Sequence, residues 1–183
     1  MNTVQPIRDK KKIQIMKTML KNKDEKYYIM FIVGINVGLR ISDILTLRVS
    51  DVYEQDHVTI YEDKTDKKKR FLINEQMQRE LKRYIEKNNL QSEDYLIQSR
   101  KGKNRAVGRE QAWRVLNECG RCIGLNEVGT HTMRKTFGYW QYQQFHDVAM
   151  LMDLFNHSAP SITLRYIGIT DDNKDAAMKN FFL

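Results

Sequence analysis

The sequence predicts a mainly helical α+β domain with a small three-stranded antiparallel β-sheet. Over most of the chain apolar residues recur every three to four positions, the period of a helix with one buried face. Only the middle of the chain concentrates β-branched and aromatic residues, in short runs parted by polar ones. Asp, Asn and Gly stand at the ends of the helical runs, where caps are needed.

Taken in order, Ile13, Ile15, Met16, Met19 and Leu20 predict a helix over 9–22. Asp24 can cap a second helix reaching Val37, with Tyr28, Ile29, Phe31, Ile32 and Ile35 buried and Gly38 as its stop. A short helix over 42–47 turns Ile44, Leu45 and Leu47 inward. The runs 57–61 and 70–73 then predict a hairpin with a long basic tip, Lys64 to Arg70. Asn74 caps a helix to about Asn88, carried by Met77, Leu81, Tyr84 and Ile85. The run Asp94-Tyr95-Leu96-Ile97 predicts the third strand. A helix over 108–122 carries Trp113, Leu116 and Cys119 on one face. Thr130 is expected to cap a helix from His131 to about Gln144, and Asp147 one through Leu154. Ser161 opens a short helix holding Tyr166. Asp171 opens the last helix, whose Ala177, Met178, Phe181 and Phe182 share a face. No repeat, low-complexity segment or linker interrupts the chain, so residues 1–183 read as a single domain.

The 183 residues hold 31 Lys and Arg against 23 Asp and Glu, a net charge of +8. That excess favours a polyanion as partner, nucleic acid before an anionic membrane surface. The first dozen residues are polar, which is unlike a secretory leader. The most apolar run, 27–39, is too short to span a bilayer and is interrupted by Asn36. A soluble, cytoplasmic protein is expected. Cys119 and Cys122 form a C-x-x-C pair late in a helical stretch. A redox pair would instead open a helix, and a zinc site needs two further ligands. Two packed, reduced cysteines are expected, with no metal and no cofactor.

Several polar residues could carry chemistry. Arg40 follows Gly38 where an apolar helix ends, and its guanidinium can fork onto a carboxylate or a phosphate. An ion pair with Asp43 is the ordinary alternative. His131 and Arg134, three apart on a helix, can converge on one ligand. His157 stands in a turn between helices, as surface or packing residues often do. Tyr166, taken alone, could belong to the core. Together with a hairpin lysine, these groups suit phosphoryl transfer without a metal, since no clustered carboxylates are present to hold Mg²⁺. Arginine forks can neutralise a phosphate and strengthen as charge develops on it. Ionising a tyrosine at pH 7 costs about 4 kcal/mol, part of which a positioned His removes as general base.

This constellation resembles the tyrosine recombinase (phage integrase) family over nearly the whole chain. Gly38-Leu39-Arg40-Ile41-Ser42-Asp43 looks like the family's first box, His131-Thr132-Met133-Arg134 like its H-x-x-R box, and His157 and Tyr166 like its last two positions. The resemblance implies that Arg40 and Arg134 clamp the scissile phosphate and that Asp43 helps orient the site. It implies that His131 assists proton transfer, that His157 bonds a non-bridging oxygen and that Tyr166 is the nucleophile. Lys64, on the hairpin, falls at the general-acid position, although Lys67, Lys68 and Lys69 share that hairpin. The implied reaction breaks and rejoins DNA through a 3′-phosphotyrosine, without metal or ATP. The basic segments Lys67, Lys68, Lys69, Arg70 and Arg100, Lys101, Lys103, Arg105 are expected to meet flanking phosphates.

The implied partners are double-stranded DNA and three further copies of the chain on paired sites, the free protein being a monomer. Accessory DNA-bending proteins and a last helix docked on a neighbouring subunit go with that reading. An N-terminal DNA-clamping domain, usual in the family, has no room in 183 residues. Two alternatives stay open. One is a nicking-closing enzyme similar to type IB topoisomerases, and the other a DNA-binding regulator on the same fold.

Overall fold

A computed structural model describes residues 4–61 and 68–179. The chain forms nine α-helices and one hairpin among these residues. They are α1 (Lys10–Lys23), α2 (Glu25–Val37), α3 (Ile41–Thr46), β1 (His57–Tyr61), β2 (Lys68–Leu72), α4 (Glu75–Lys87), α5 (Arg109–Cys122), α6 (Thr132–Phe145), α7 (Val148–Phe155), α8 (Pro160–Tyr166) and α9 (Ile169–Met178).

Helix α2 is the centre. Ile29, Met30, Phe31 and Val33 are each 0% exposed, so several of its faces are covered, as expected of a helix whose sequence is apolar nearly all round. Helices α1, α3, α4 and α6 pack on it. Each large apolar side chain so buried contributes roughly 1.5–3 kcal/mol. Tyr28 and Ile35 lie only partly covered at the edge of this core. A second, smaller core joins Phe137 and Tyr139 of α6 to Leu151 and Phe155 of α7 and to Ile167 and Ile169.

Several caps match the sequence. Asp24 accepts from the Lys26 amide, Asn74 from Met77 and Asp147 from Met150. Elsewhere the boundaries move. Thr130 does not cap α6; the helix starts at Thr132, whose buried hydroxyl instead accepts from the Gly129 amide. Pro160 rather than Ser161 opens α8, its ring fixing the first helical φ. Helix α9 starts at Ile169 because Gly168, at φ 85°, reverses the chain at once. Trp113 lies off the buried stripe of α5, which is Ala112, Val115, Leu116 and Cys119.

Among the described residues the sheet has two strands, not three. β1 and β2 are antiparallel, with His57 opposite Leu72 and Tyr61 opposite Lys68. The expected third strand is extended but pairs elsewhere. Val49 N–H donates to Asp94 O at 2.9 Å, Leu96 N–H to Leu47 O at 2.8 Å and Val107 N–H to Ile97 O at 2.8 Å. Leu96 and Ile97 are both fully buried. The backbone of this buried segment needs partners, and it finds them in the segments after α3 and before α5 rather than in the hairpin. Lys68, Lys69 and Arg70 belong to β2, not to a loop tip. Lys64 and Lys67 lie outside the described residues, as do Phe181, Phe182 and the Ala177 side chain. Of the expected C-terminal apolar face, Met178 is described and is exposed. Cys119 is buried and Cys122 exposed, both as free thiols. No helix among the described residues is long and apolar enough to cross a membrane.

Candidate active site

Three segment ends converge on one open surface: the end of α2, the start of α6, and the α7–α8 turn. Gly38 ends α2 at φ 73° and ψ 22°, a left-handed conformation open to glycine. A Cβ there would also lie 2.3 Å from the Phe137 ring. The sharp stop sends Leu39 into the core and leaves Arg40 exposed. Arg40 makes no ion pair with Asp43 among the described residues, whose carboxylate instead accepts from Ser42.

Helix α6 supplies His131 at its N-terminal boundary and Arg134 one turn on. Arg134 is 5% exposed. Its Nη1 donates to the Gly38 carbonyl, its Nη2 donates to Leu154 O at 3.3 Å, and its guanidinium lies 4.4 Å from the centre of the Phe155 ring. One side chain thereby ties α2, α6 and α7 together.

The α7–α8 turn follows from its residues. Asn156 takes the left-handed conformation at φ 59°, and the His157 amide bonds back to Met152 O at 2.9 Å. That closes the end of α7 and turns His157 toward Tyr166, ring centres 5.2 Å apart. Phe155 packs edge-on to both rings. Gly138 makes this packing possible, because a Cβ there would be 2.7 Å from Ile167 and 2.8 Å from Phe155.

Tyr166 is partly buried, and its hydroxyl lies 3.4 Å from His131 Nδ1. That is long for a hydrogen bond, but catalytic pairs commonly tighten only when substrate binds. Burial pushes the Tyr166 hydroxyl above the usual tyrosine range, while Arg134 and Arg40 pull it back. Burial holds His131 below the usual imidazole range, helped by Arg109, Arg134, Lys135 and Arg40. A neutral His131 beside a protonated Tyr166 is the pair needed to move a proton off the tyrosine. Burial, Arg134 and Arg40 likewise lower His157. Asp43 is near enough to act on Arg134, which burial lowers.

The structure therefore brings Arg40, Asp43, His131, Arg134, His157 and Tyr166 together. It also adds groups that lie outside the motif positions. Lys135 holds its amine 5.1 Å from the centre of the Tyr166 ring. Arg109 bears on His131 from the start of α5. From β2, Lys69 donates to the Asp153 carbonyl, next to the Leu154 carbonyl that Arg134 uses. The spacing of 131 to 135 carried a signal for Lys135, since neighbours four apart share a helix face.

The other basic residues are placed differently. Arg70 bonds His57 across the hairpin at 3.1 Å, and Lys68 is exposed on β2. Arg100 pairs with Asp24 at 2.9 Å. Asp24 caps one end of α2 and Arg40 follows the other, so about 20 Å of helix separates Arg100 from the cluster. Lys101, Lys103 and Arg105 are exposed on the same loop. The larger cavities lie away from the Tyr166 cluster, which is an open surface suited to an extended anionic ligand rather than an enclosed small molecule.

The sequence pattern of the phage integrase family matches residues 7–173. The probable integrase/recombinase YoeC of Bacillus subtilis (strain 168) is 48% identical over 99% of this chain and 98% of its own length. The chain spans about half the length of the other curated tyrosine recombinases it matches. Its fold is similar to that of the XerA recombinase crystal structure, with a TM-score of 0.75 and 18% identity over 96% of this chain and 65% of that one. The XerH site-specific recombinase, solved with its difH substrate, superposes with a TM-score of 0.72 and 16% identity over 90% of this chain and 50% of that one.

Proposed function

The chain belongs to the phage integrase family and is a tyrosine recombinase, and we propose that residues 1–183 act as one catalytic unit in which Tyr166 cuts and rejoins DNA. The observation that carries this reading is the Tyr166 hydroxyl set 3.4 Å from His131 Nδ1, beside the buried Arg134.

The chemistry follows from the charges. Arg40 and Arg134 bind the non-bridging oxygens of a phosphodiester and neutralise the charge that builds on them. Asp43 keeps the arginines oriented, and His157 donates to a non-bridging oxygen. His131 takes the proton as the Tyr166 oxygen bonds to phosphorus. The bond from phosphorus to the 5′ oxygen breaks, and that oxygen takes a proton from Lys64, the hairpin lysine outside the described residues. A 3′-phosphotyrosine and a 5′-hydroxyl result. The bond energy is kept in the link, so attack by a 5′-hydroxyl reverses the step and rejoins the strand.

Double-stranded DNA is the proposed partner. The net charge of +8, the open arginine-lined surface and the XerH complex with its substrate support it. Lys68, Lys101, Lys103 and Arg105 are exposed and free to meet flanking phosphates. The working assembly is four copies on two paired sites, with accessory DNA-bending proteins where the sites require them. The place of action is the cytoplasm, on the nucleoid.

The test uses a library of nicked suicide duplexes, incubated in EDTA with wild type and Tyr166→Phe. A covalent protein–DNA adduct on a denaturing gel from wild type alone is the expected result. An adduct from both proteins would place the nucleophile elsewhere. Binding of duplex by wild type with no adduct across the library would favour a DNA-binding regulator instead.

A further inference from the structure

The α7–α8 turn contains a buried hydroxyl that the mechanism above does not use. Thr163, in the middle of α8, is 0% exposed, and its Oγ1 lies 3.0 Å from His157 Nδ1. Threonines inside helices commonly turn their hydroxyl back to the carbonyl four residues earlier, as Thr136 does to Thr132 at 2.7 Å. The one described partner of the Thr163 hydroxyl is the imidazole.

This pairing decides where the His157 proton sits. A hydroxyl has one hydrogen to donate, and a buried one left without an acceptor is costly. The acceptor at hand is Nδ1, so Thr163 donates to it and the ring proton resides on Nε2. In a doubly protonated ring Nδ1 would donate to Oγ1 across the same 3.0 Å, leaving the buried hydroxyl hydrogen without a described acceptor. The edges of Phe155 and Tyr166 fix the ring plane, with centres 5.6 and 5.2 Å from that of His157. The charged groups bearing on the ring are Arg134 of α6 and Arg40 beyond α2. Both are cations, which disfavour a second proton on His157.

We propose that Thr163 is a positioning residue that acts through His157, fixing the tautomer that carries its proton on Nε2 and so presenting a donor to the scissile phosphate. The role of His157 in this statement rests on the recombinase reading, whereas the tautomer does not. The logic is that of histidines whose far nitrogen is held by an outer partner so that the near one meets the ligand correctly.

The experiment compares wild type, Thr163→Val and Thr163→Ser by nitrogen-15 NMR of the free protein. His157 is assigned from the spectrum that His157→Ala lacks. Wild type and Thr163→Ser are expected to show the Nε2–H tautomer, and Thr163→Val a mixture. Suicide-duplex cleavage is measured on the same proteins. Thr163→Val should slow it about tenfold, the value of one well-placed hydrogen bond, and Thr163→Ser should restore most of it. In a His157→Ala background, Thr163→Val should cost nothing more. An unchanged tautomer in Thr163→Val would overturn the proposal, and so would an equal loss of cleavage in the His157→Ala background. If wild type failed to cleave at all, the recombinase reading would fall while the tautomer spectra still decided what Thr163 does.

Discussion

Gly138→Ala adds a single methyl group where three parts of the site lean on one another. The new carbon would lie 2.7 Å from Ile167 Cγ2 and 2.8 Å from Phe155 Cε2 and Cζ. Carbon pairs settle at about 3.5–4.0 Å, so the neighbours must retreat by roughly 1 Å. Neither has room to do so, since Phe155 is 2% exposed and Ile167 0%. Overpacking of this kind costs about 1–3 kcal/mol. Alanine's better helix propensity returns about 1 kcal/mol. The net loss of stability should therefore stay under about 2 kcal/mol, visible as a small drop in the urea midpoint. Cleavage should suffer far more. Ile167 is bonded to Tyr166, while Phe155 abuts Tyr166, His157 and Arg134. A shift near 1 Å at reacting groups costs about 100-fold in rate. The measurement pairs urea denaturation with the rate of covalent adduct formation. A Gly138→Ala protein that is more stable than wild type and cleaves at full rate would refute the argument.

Two further outcomes follow. Arg134→Lys keeps a charge but cannot serve both carbonyls, so one buried acceptor loses its donor at a cost of about 1–3 kcal/mol. Cleavage should drop by 100-fold or more, because a lysine is a poor substitute for a fork. Wild-type cleavage by this variant would count against Arg134 as a clamp. In the second, burial is the largest cause holding both His131 and His157 below the ordinary imidazole value of 6.5. The unfolded chain then takes up protons that the fold resists, so stability is full above about pH 6.5 and falls as pH drops below it. The melting temperature should decline in that window, and less so in a His131→Gln, His157→Gln variant. An identical decline in that variant would show that the two histidines do not set it.

Much of this architecture was legible in the residues because it rests on local rules. Asp24, Asn74 and Asp147 cap helices through bonds spanning two or three residues, and Gly38 stops α2 by its own conformation. The pairing of the expected third strand was not legible. The run at 94–97 has strand composition, but its partners lie near residues 48 and 106, and composition does not say which distant backbone a buried segment will meet. Likewise the spacing of Arg100 to Arg105 suggested a free basic loop, whereas Arg100 is engaged by Asp24 from 76 residues away. The candidate site residues were picked out by motif. Their supporting contacts were not, since Arg134's grip on Gly38 and Leu154, Lys135 over the Tyr166 ring and Thr163 beneath His157 depend on how α6 meets α7 and α8.

The two carbonyl bonds of Arg134 also say when the cost of order is met. A guanidinium carries five N–H donors, and two of its nitrogens are already bonded within the protein. An arginine free in solvent would lose up to about 2 kcal/mol of rotamer entropy on gripping a phosphate. Arg134 surrenders that freedom when the chain folds, so its remaining donors point in a fixed direction. Arg40, exposed and without an ion pair among the described residues, still has its freedom to lose. In the proposed clamp, one cation would be part of a finished socket and the other would close as the ligand arrives.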